Sequence, residues 1–87
     1  MNAESLLTFP CEFPIKVMGR REDGFAQAVS DVVRRHVQDL PQEAIEMRAS
    51  SNARFLSITV TFEASSREQL DALYTELSKH PMVMMVL

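Results

Sequence analysis

Eighty-seven residues suffice for one domain, spanning 1–87, and are too few for two. Apolar residues make up 46% of the chain and charged residues 24%, which excludes a low-complexity or intrinsically disordered polypeptide. The net charge is −3, and the 9 Lys and Arg are adjacent only at Arg20–Arg21 and Arg34–Arg35, so no cationic stripe exists to neutralise a nucleic-acid backbone.

Residues 1–12 read as an N-terminal arm. Leu6, Leu7 and Phe9 give it an apolar side, and Pro10 and Pro14 frame the entry to the first strand. That strand is predicted over Phe13–Met18, where Phe13, Ile15 and Val17 alternate with Pro14, Lys16 and Met18, the period of two of a half-buried strand. Gly19 is expected to end it. Asp23 is a plausible N-cap for a helix over Gly24–Gln38. At helical spacing Phe25, Ala28, Val29, Val32, Val33 and His36 share one stripe, with Gln27, Asp31, Arg34 and Gln38 opposite. Pro41 marks the following loop.

A second strand is expected over Glu43–Ala49, then a turn at Ser50-Ser51-Asn52-Ala53. Phe55–Glu63 is the clearest strand, with Leu56, Ile58, Val60 and Phe62 on one side and Ser57, Thr59 and Thr61 on the other. Ser65-x-x-Glu68 and Ser66-x-x-Gln69 are overlapping capping boxes for a helix that runs to Lys79. Its inner stripe is Leu70, Leu73, Tyr74 and Leu77. Pro81 stops it, and Met82–Leu87 forms a last strand that is apolar on both faces.

The order is β-α-β-β-α-β. Right-handed crossovers turn that order into an α+β ferredoxin-like sandwich: a four-stranded antiparallel sheet, order 4-1-3-2, with two helices on one face.

Three stretches carry a resemblance to the YbeD-like family of small bacterial proteins. They are FPCEFPIKVMG (9–19), SSNARFLSIT (50–59) and LYTELSKHPMVMMVL (73–87), and the match spans nearly the whole chain. The resemblance implies an ACT-like fold of the kind that binds small regulatory ligands and pairs edge to edge, and it implies no catalytic residue set. Two positions depart from the expected pattern. The turn reads Asn52-Ala53 where a glycine is expected, and Met84 stands where a charged residue is expected.

The chemistry-bearing residues are few. Cys11 is the lone cysteine; it admits no intrachain disulfide and no Cys-x-x-Cys site, and reads as a partly buried filler. His36 aims at the core from helix 1 and reads as a histidine satisfied by carbonyls or water, or as a pH-sensitive group. Two isolated histidines and one cysteine supply no closed set of metal ligands, so no metal and no cofactor are expected. No nucleophile–base pair can be assembled, so no catalytic residue is expected and the chain does not read as an enzyme. The central strands present no row of exposed aromatics for RNA bases. The N-terminus lacks a basic, then apolar, leader, and no apolar run approaches the roughly 20 residues of a membrane span. With no disulfide staples, a reducing, cytoplasmic setting is expected.

Two places remain. The loop Gly19-Arg20-Arg21-Glu22-Asp23-Gly24 offers Gly19, Arg20, Arg21 and Gly24 as a site for a small anionic metabolite, beside a helix N-terminus. Strand 4 is an edge guarded by neither charge nor proline. If Val83, Met85 and Leu87 face the helices, then Met18, Met82, Met84 and Val86 form an exposed apolar surface. It suits the N-terminal arm, a homodimer or a protein partner. The function that follows is a non-catalytic regulatory or binding module for a small ligand; the alternative is a protein-interaction module that docks through its open sheet face or strand 4 edge.

Overall fold

A computed structural model describes residues 8–87. The elements are β1 (Cys11–Arg20), α1 (Phe25–His36), a 3-10 turn (Gln42–Ala44), β2 (Ile45–Ala49), β3 (Phe55–Ala64), α2 (Arg67–Lys79) and β4 (Val83–Val86). They build a four-stranded antiparallel sheet in the order β2-β3-β1-β4, which is the order expected, read from its other edge.

The pairing register explains the core. Phe13, Ile15 and Val17 of β1 stand opposite Phe62, Val60 and Ile58 of β3, so the apolar sets of both central strands fall on one face. There they meet Phe25, Val29, Val32 and Val33 of α1 and Leu70, Leu73 and Leu77 of α2 in one cluster. Each such side chain removed from water stabilises the fold by about 1.5–3 kcal/mol. Among the described residues the buried set contains no polar or charged side chain. The rings of Phe13 and Phe62 lie 6.5 Å apart at 54°, a tilted pair. Phe9, which the sequence assigns to the arm, packs against this core. Leu6 and Leu7 lie outside the described residues.

β1 is longer than its alternation indicated, and Pro14 shows how that is tolerated. Lys16 N–H donates to Leu87 O (3.1 Å) and Leu87 N–H donates to Lys16 O (2.8 Å), so the even-numbered residues of β1 turn their backbone groups toward β4. β4 reaches no farther than this pair. The donor that Pro14 lacks therefore points past the end of β4, where no ladder bond is missing. At the other end, Gly19 does not stop the strand. It pairs with Leu56 and Val83, and a Cβ placed on it would lie 2.4 Å from Phe25 Cε1 and 2.6 Å from Met82 O. Its hydrogen is the only side chain that fits under the Phe25 ring.

β4 corrects the expected phase. Val17 pairs with Val86 and Met18 with Met85, but Gly19 pairs with Val83. Met84 is the extra residue of a β-bulge; Val83 and Met84 keep the expected faces, and from Met85 onward the bulge inverts the alternation. Val83 and Val86 pack on the core with half-buried Met82, while Met84, Met85 and Leu87 are 61%, 50% and 61% exposed.

One helix start departs from expectation and the other follows one of its two candidates. The N-cap of α1 is Gly24 at φ +87°, not Asp23. The cap of α2 is Ser66, whose Oγ accepts from Gln69 N–H at 3.1 Å. Gln69 Oε1 accepts from Ser65 N–H at 2.7 Å, and its Nε2 donates to His36 O at 2.7 Å, so one residue caps α2 and ties it to the end of α1. Before β2, the 3-10 turn takes up residues the sequence assigned to the strand.

Candidate functional site

Among the described residues no polar or charged side chain is buried, and the candidate site lies on the surface. Among the described residues no group of three or more His, Cys, Asp or Glu comes together. Cys11 is half-buried and free at the start of β1. His36 is neither core nor bonded to carbonyls. Its Nε2 lies 2.7 Å from Glu76 Oε1 on α2, and Arg35 donates to the other oxygen of the same carboxylate. Hydrogen bonds from Arg35 and then His36 hold the Glu76 carboxyl below its ordinary value of 4.5. This is a clasp between the two helices.

The densest unpaired charge lies where β1 runs into α1. Arg20 stands opposite Phe55 in the β1–β3 register, and Arg21 N–H donates to Arg54 O at 2.8 Å. These contacts bring the β1–α1 loop against the tip of the β2–β3 hairpin. The tip is tightly built. Asn52 Oδ1 accepts from Ser50 Oγ (2.8 Å) and from Arg54 N–H (3.1 Å), and Ser50 Oγ accepts from Phe55 N–H (3.2 Å). Ala53, in the turn where a glycine was expected, adopts φ +59°.

The outcome is a cleft of about 410 Å³ lined by Arg20, Arg21, Glu22, Arg54 and Phe55. A second, more open cleft of about 720 Å³ shares Arg21 and Glu22 and continues past Gly24 to Ala53 and Met47. The ion pairs described elsewhere join Arg35 and His36 to Glu76 and Arg67 to Asp71. None of the guanidinium groups of Arg20, Arg21 and Arg54 has a hydrogen-bond or ion-pair partner among the described residues. The opposite end of the sheet is acidic, with Glu12, Asp39 and Glu63 around a separate cleft.

Of the expected ligand residues, Arg20 and Arg21 line the arginine cleft and Gly24 lines its continuation, while Gly19 lines neither. Gly19 lies buried beneath Phe25, so its small size serves packing rather than approach of a ligand. Arg54 and Phe55 were missed. They are more than thirty positions from Arg20 in sequence, and only the cross-strand register brings them together. Of the expected interaction surface, Met18 and Met84 lie at or near the open face, whereas Met82 and Val86 pack on the core, and Met85 and Leu87 take their place.

Comparison with known proteins follows from this geometry. A family model described as "Protein of unknown function (DUF493)" matches residues 4–87. A UPF0250 protein of Nitrosomonas europaea is 47% identical over 87 residues, covering 100% of both chains. A UPF0250 protein of Chromobacterium violaceum is 49% identical over 84 residues, covering 97% of this chain and 94% of its own. Among solved structures, protein HP0495 of H. pylori superimposes with a TM-score of 0.70 at 19% identity, over 93% of this chain and 85% of that one. The ACT domain of GTP pyrophosphokinase from Chlorobium tepidum does so with a TM-score of 0.69 at 16% identity, over 87% and 94%. At such identities the likeness is one of fold.

Proposed function

We propose that this chain, which belongs to the DUF493 family, is a non-catalytic regulatory module that binds a small anionic ligand at the cleft of Arg20, Arg21 and Arg54. The observation that carries this reading is one cleft lined by three arginines, from the end of β1, the loop after it and the β2–β3 turn, whose guanidinium groups have no ion-pair partner among the described residues. Like charges are brought together at an electrostatic cost, and a phosphate or carboxylate offsets it by accepting paired N–H bonds from the planar forks. Phe55 supplies an apolar wall on the same cleft. The ACT-like fold supports a regulatory role by analogy, which is a weaker warrant than the site itself.

Pyrophosphate and citrate are suitable probes, followed by thermal shift and by amide chemical shifts. A ligand that binds only the folded state at 100 times its Kd adds about 2.7 kcal/mol of stability. Arg21→Ala and Arg54→Ala are expected to remove that gain while leaving the ligand-free protein folded, because both side chains are exposed. Absence of any shift with either probe, or shifts that survive both substitutions, refutes the reading.

A second reading rests on exposed Met84, Met85 and Leu87: a protein-interaction module whose open sheet face docks on a partner. It expects a partner recovered from lysate and lost with Met85→Glu, and no response to small anions.

A further inference from the structure

Given anion binding at the arginine cleft, on which this step rests, we infer that the ligand is a nucleoside diphosphate. Its phosphates lie on Arg20, Arg21 and Arg54, its base stacks on Phe55, and its sugar hydroxyls donate to Glu22.

The cleft is built where the β1–β3 ladder ends. Arg20 stands opposite Phe55, and one step further Arg21 N–H donates to Arg54 O at 2.8 Å. The even-numbered residues of β1 turn their backbone groups toward β4, and Phe55 O accepts from Ser50 N–H on its other side at 2.9 Å. Arg20 and Phe55 therefore form a pair with no ladder bonds between them, the kind in which facing side chains approach most closely. Glu22 follows directly, its carbonyl fixed by Phe25 N–H at 3.2 Å where α1 begins. A few residues thus deliver three guanidinium groups, one aromatic ring and one carboxylate to the same wall.

That combination rejects simpler ligands. Inorganic phosphate or pyrophosphate uses the arginines, but it leaves the half-buried Phe55 ring against water and sets negative charge beside Glu22. A monocarboxylate carries one charge where three arginines against one glutamate leave the lining at +2. The ion pairs among the described residues lie elsewhere, so the Glu22 carboxylate keeps its lone pairs for a donor. The fitting ligand has several negative charges, a flat apolar face and hydroxyl groups. A nucleoside diphosphate supplies all three. Its phosphates accept paired N–H bonds from planar guanidinium groups, its base stacks on an aromatic ring, and its ribose hydroxyls donate to a carboxylate. The cleft of about 410 Å³ continues through Arg21 and Glu22 into the one of about 720 Å³, and small-molecule sites span about 300–1,000 Å³.

A nucleic-acid strand fits less well. Beyond Phe55 the open face of β3 carries Ser57, Thr59 and Thr61, with no second ring for a neighbouring base. Farther along, Glu12 stands opposite Glu63, which repels a phosphate backbone.

The test is calorimetric titration of the whole chain with pyrophosphate, ADP and tetra-adenylate, with circular dichroism confirming that each variant is folded. ADP is expected to bind about tenfold or more tighter than pyrophosphate, because stacking adds to the phosphate contacts. Phe55→Leu keeps an apolar side chain and should remove most of that advantage while changing pyrophosphate affinity far less. Glu22→Gln, at an exposed position, should tighten pyrophosphate and narrow the gap between the two ligands. Arg54→Ala, also exposed, should weaken both about tenfold. Pyrophosphate binding with no advantage for ADP, or an advantage that survives both Phe55→Leu and Glu22→Gln, overturns the nucleotide inference and leaves anion binding standing. Binding of neither ligand overturns both. Tetra-adenylate that binds as tightly as ADP assigns the cleft to a nucleic-acid strand and likewise overturns the inference.

Discussion

Gly19→Ala tests the packing argument most directly. The added methyl would meet Phe25 Cε1 at 2.4 Å, Phe25 Cζ at 2.6 Å and Met82 O at 2.6 Å, where carbon atoms ordinarily rest about 3.5–4.0 Å apart. Phe25 is 0% exposed, so its ring has no free space to enter, and the third obstacle is backbone. Overpacking of a closed site costs about 1–3 kcal/mol, and two obstacles that cannot yield place this substitution near about 3 kcal/mol. In a domain of this size that corresponds to a fall in Tm of about 12–24 °C. The assay is paired urea and thermal unfolding of Gly19→Ala, Phe25→Leu and the double variant. Because the smaller side chain vacates the contested space, the double variant should lose less stability than the sum of the singles. Gly24→Ala is the control: no atom lies within 4 Å of a Cβ there, and only its φ of +87° opposes the change, at about 1–2 kcal/mol. Additivity of Gly19→Ala with Phe25→Leu, or a cost for Gly19→Ala no greater than that for Gly24→Ala, would refute the reasoning.

Two further outcomes are expected. Ala53→Gly relieves a left-handed alanine at φ +59°; after the extra chain entropy of glycine it should stabilise by about 0.5–1 kcal/mol, read as a raised urea midpoint. Glu76 has a folded-state pKa below its ordinary value of 4.5, so its contribution to stability is present above that value and is lost as pH falls through the lower folded value. Glu76→Gln should therefore be less stable than the wild type near neutrality, with the gap closing below about pH 4.5 in acid titrations followed by circular dichroism. A gap that stays constant through acid assigns the clasp to packing instead.

Much of the architecture could be read from the residues alone, because the central elements obey simple periods. The alternation of β3 from Leu56 to Phe62 and the stripes of α1 and α2 lead to the sheet order and the core. The features that escaped have local or long-range causes that period counting does not contain. One extra residue at Met84 inverts the faces from Met85 onward, and nothing in a run of Met and Val announces a bulge. Gly19 looks like a strand terminator until the Phe25 ring is placed over it. His36 sits on the apolar stripe, yet it lies at the end of α1, where Glu76 of α2 comes within reach. The arginine cleft was half legible: Arg20 and Arg21 are adjacent in sequence, whereas Arg54 arrives through the register of β1 on β3. The left-handed backbone at Ala53 also escaped, because an alanine does not announce a positive φ.

The apolar purity of the interior limits how this domain can convey a signal. With no polar side chain among the buried residues, there is no inner hydrogen-bond relay for a bound anion to rewire. News of occupancy has to travel along the perimeter. One such route leaves Arg54, passes through the Asn52 and Ser50 hydrogen bonds of the turn and enters β2 at Ala49. Under the proposed function, a signal would be read by what sits beside the domain, not by a change within it.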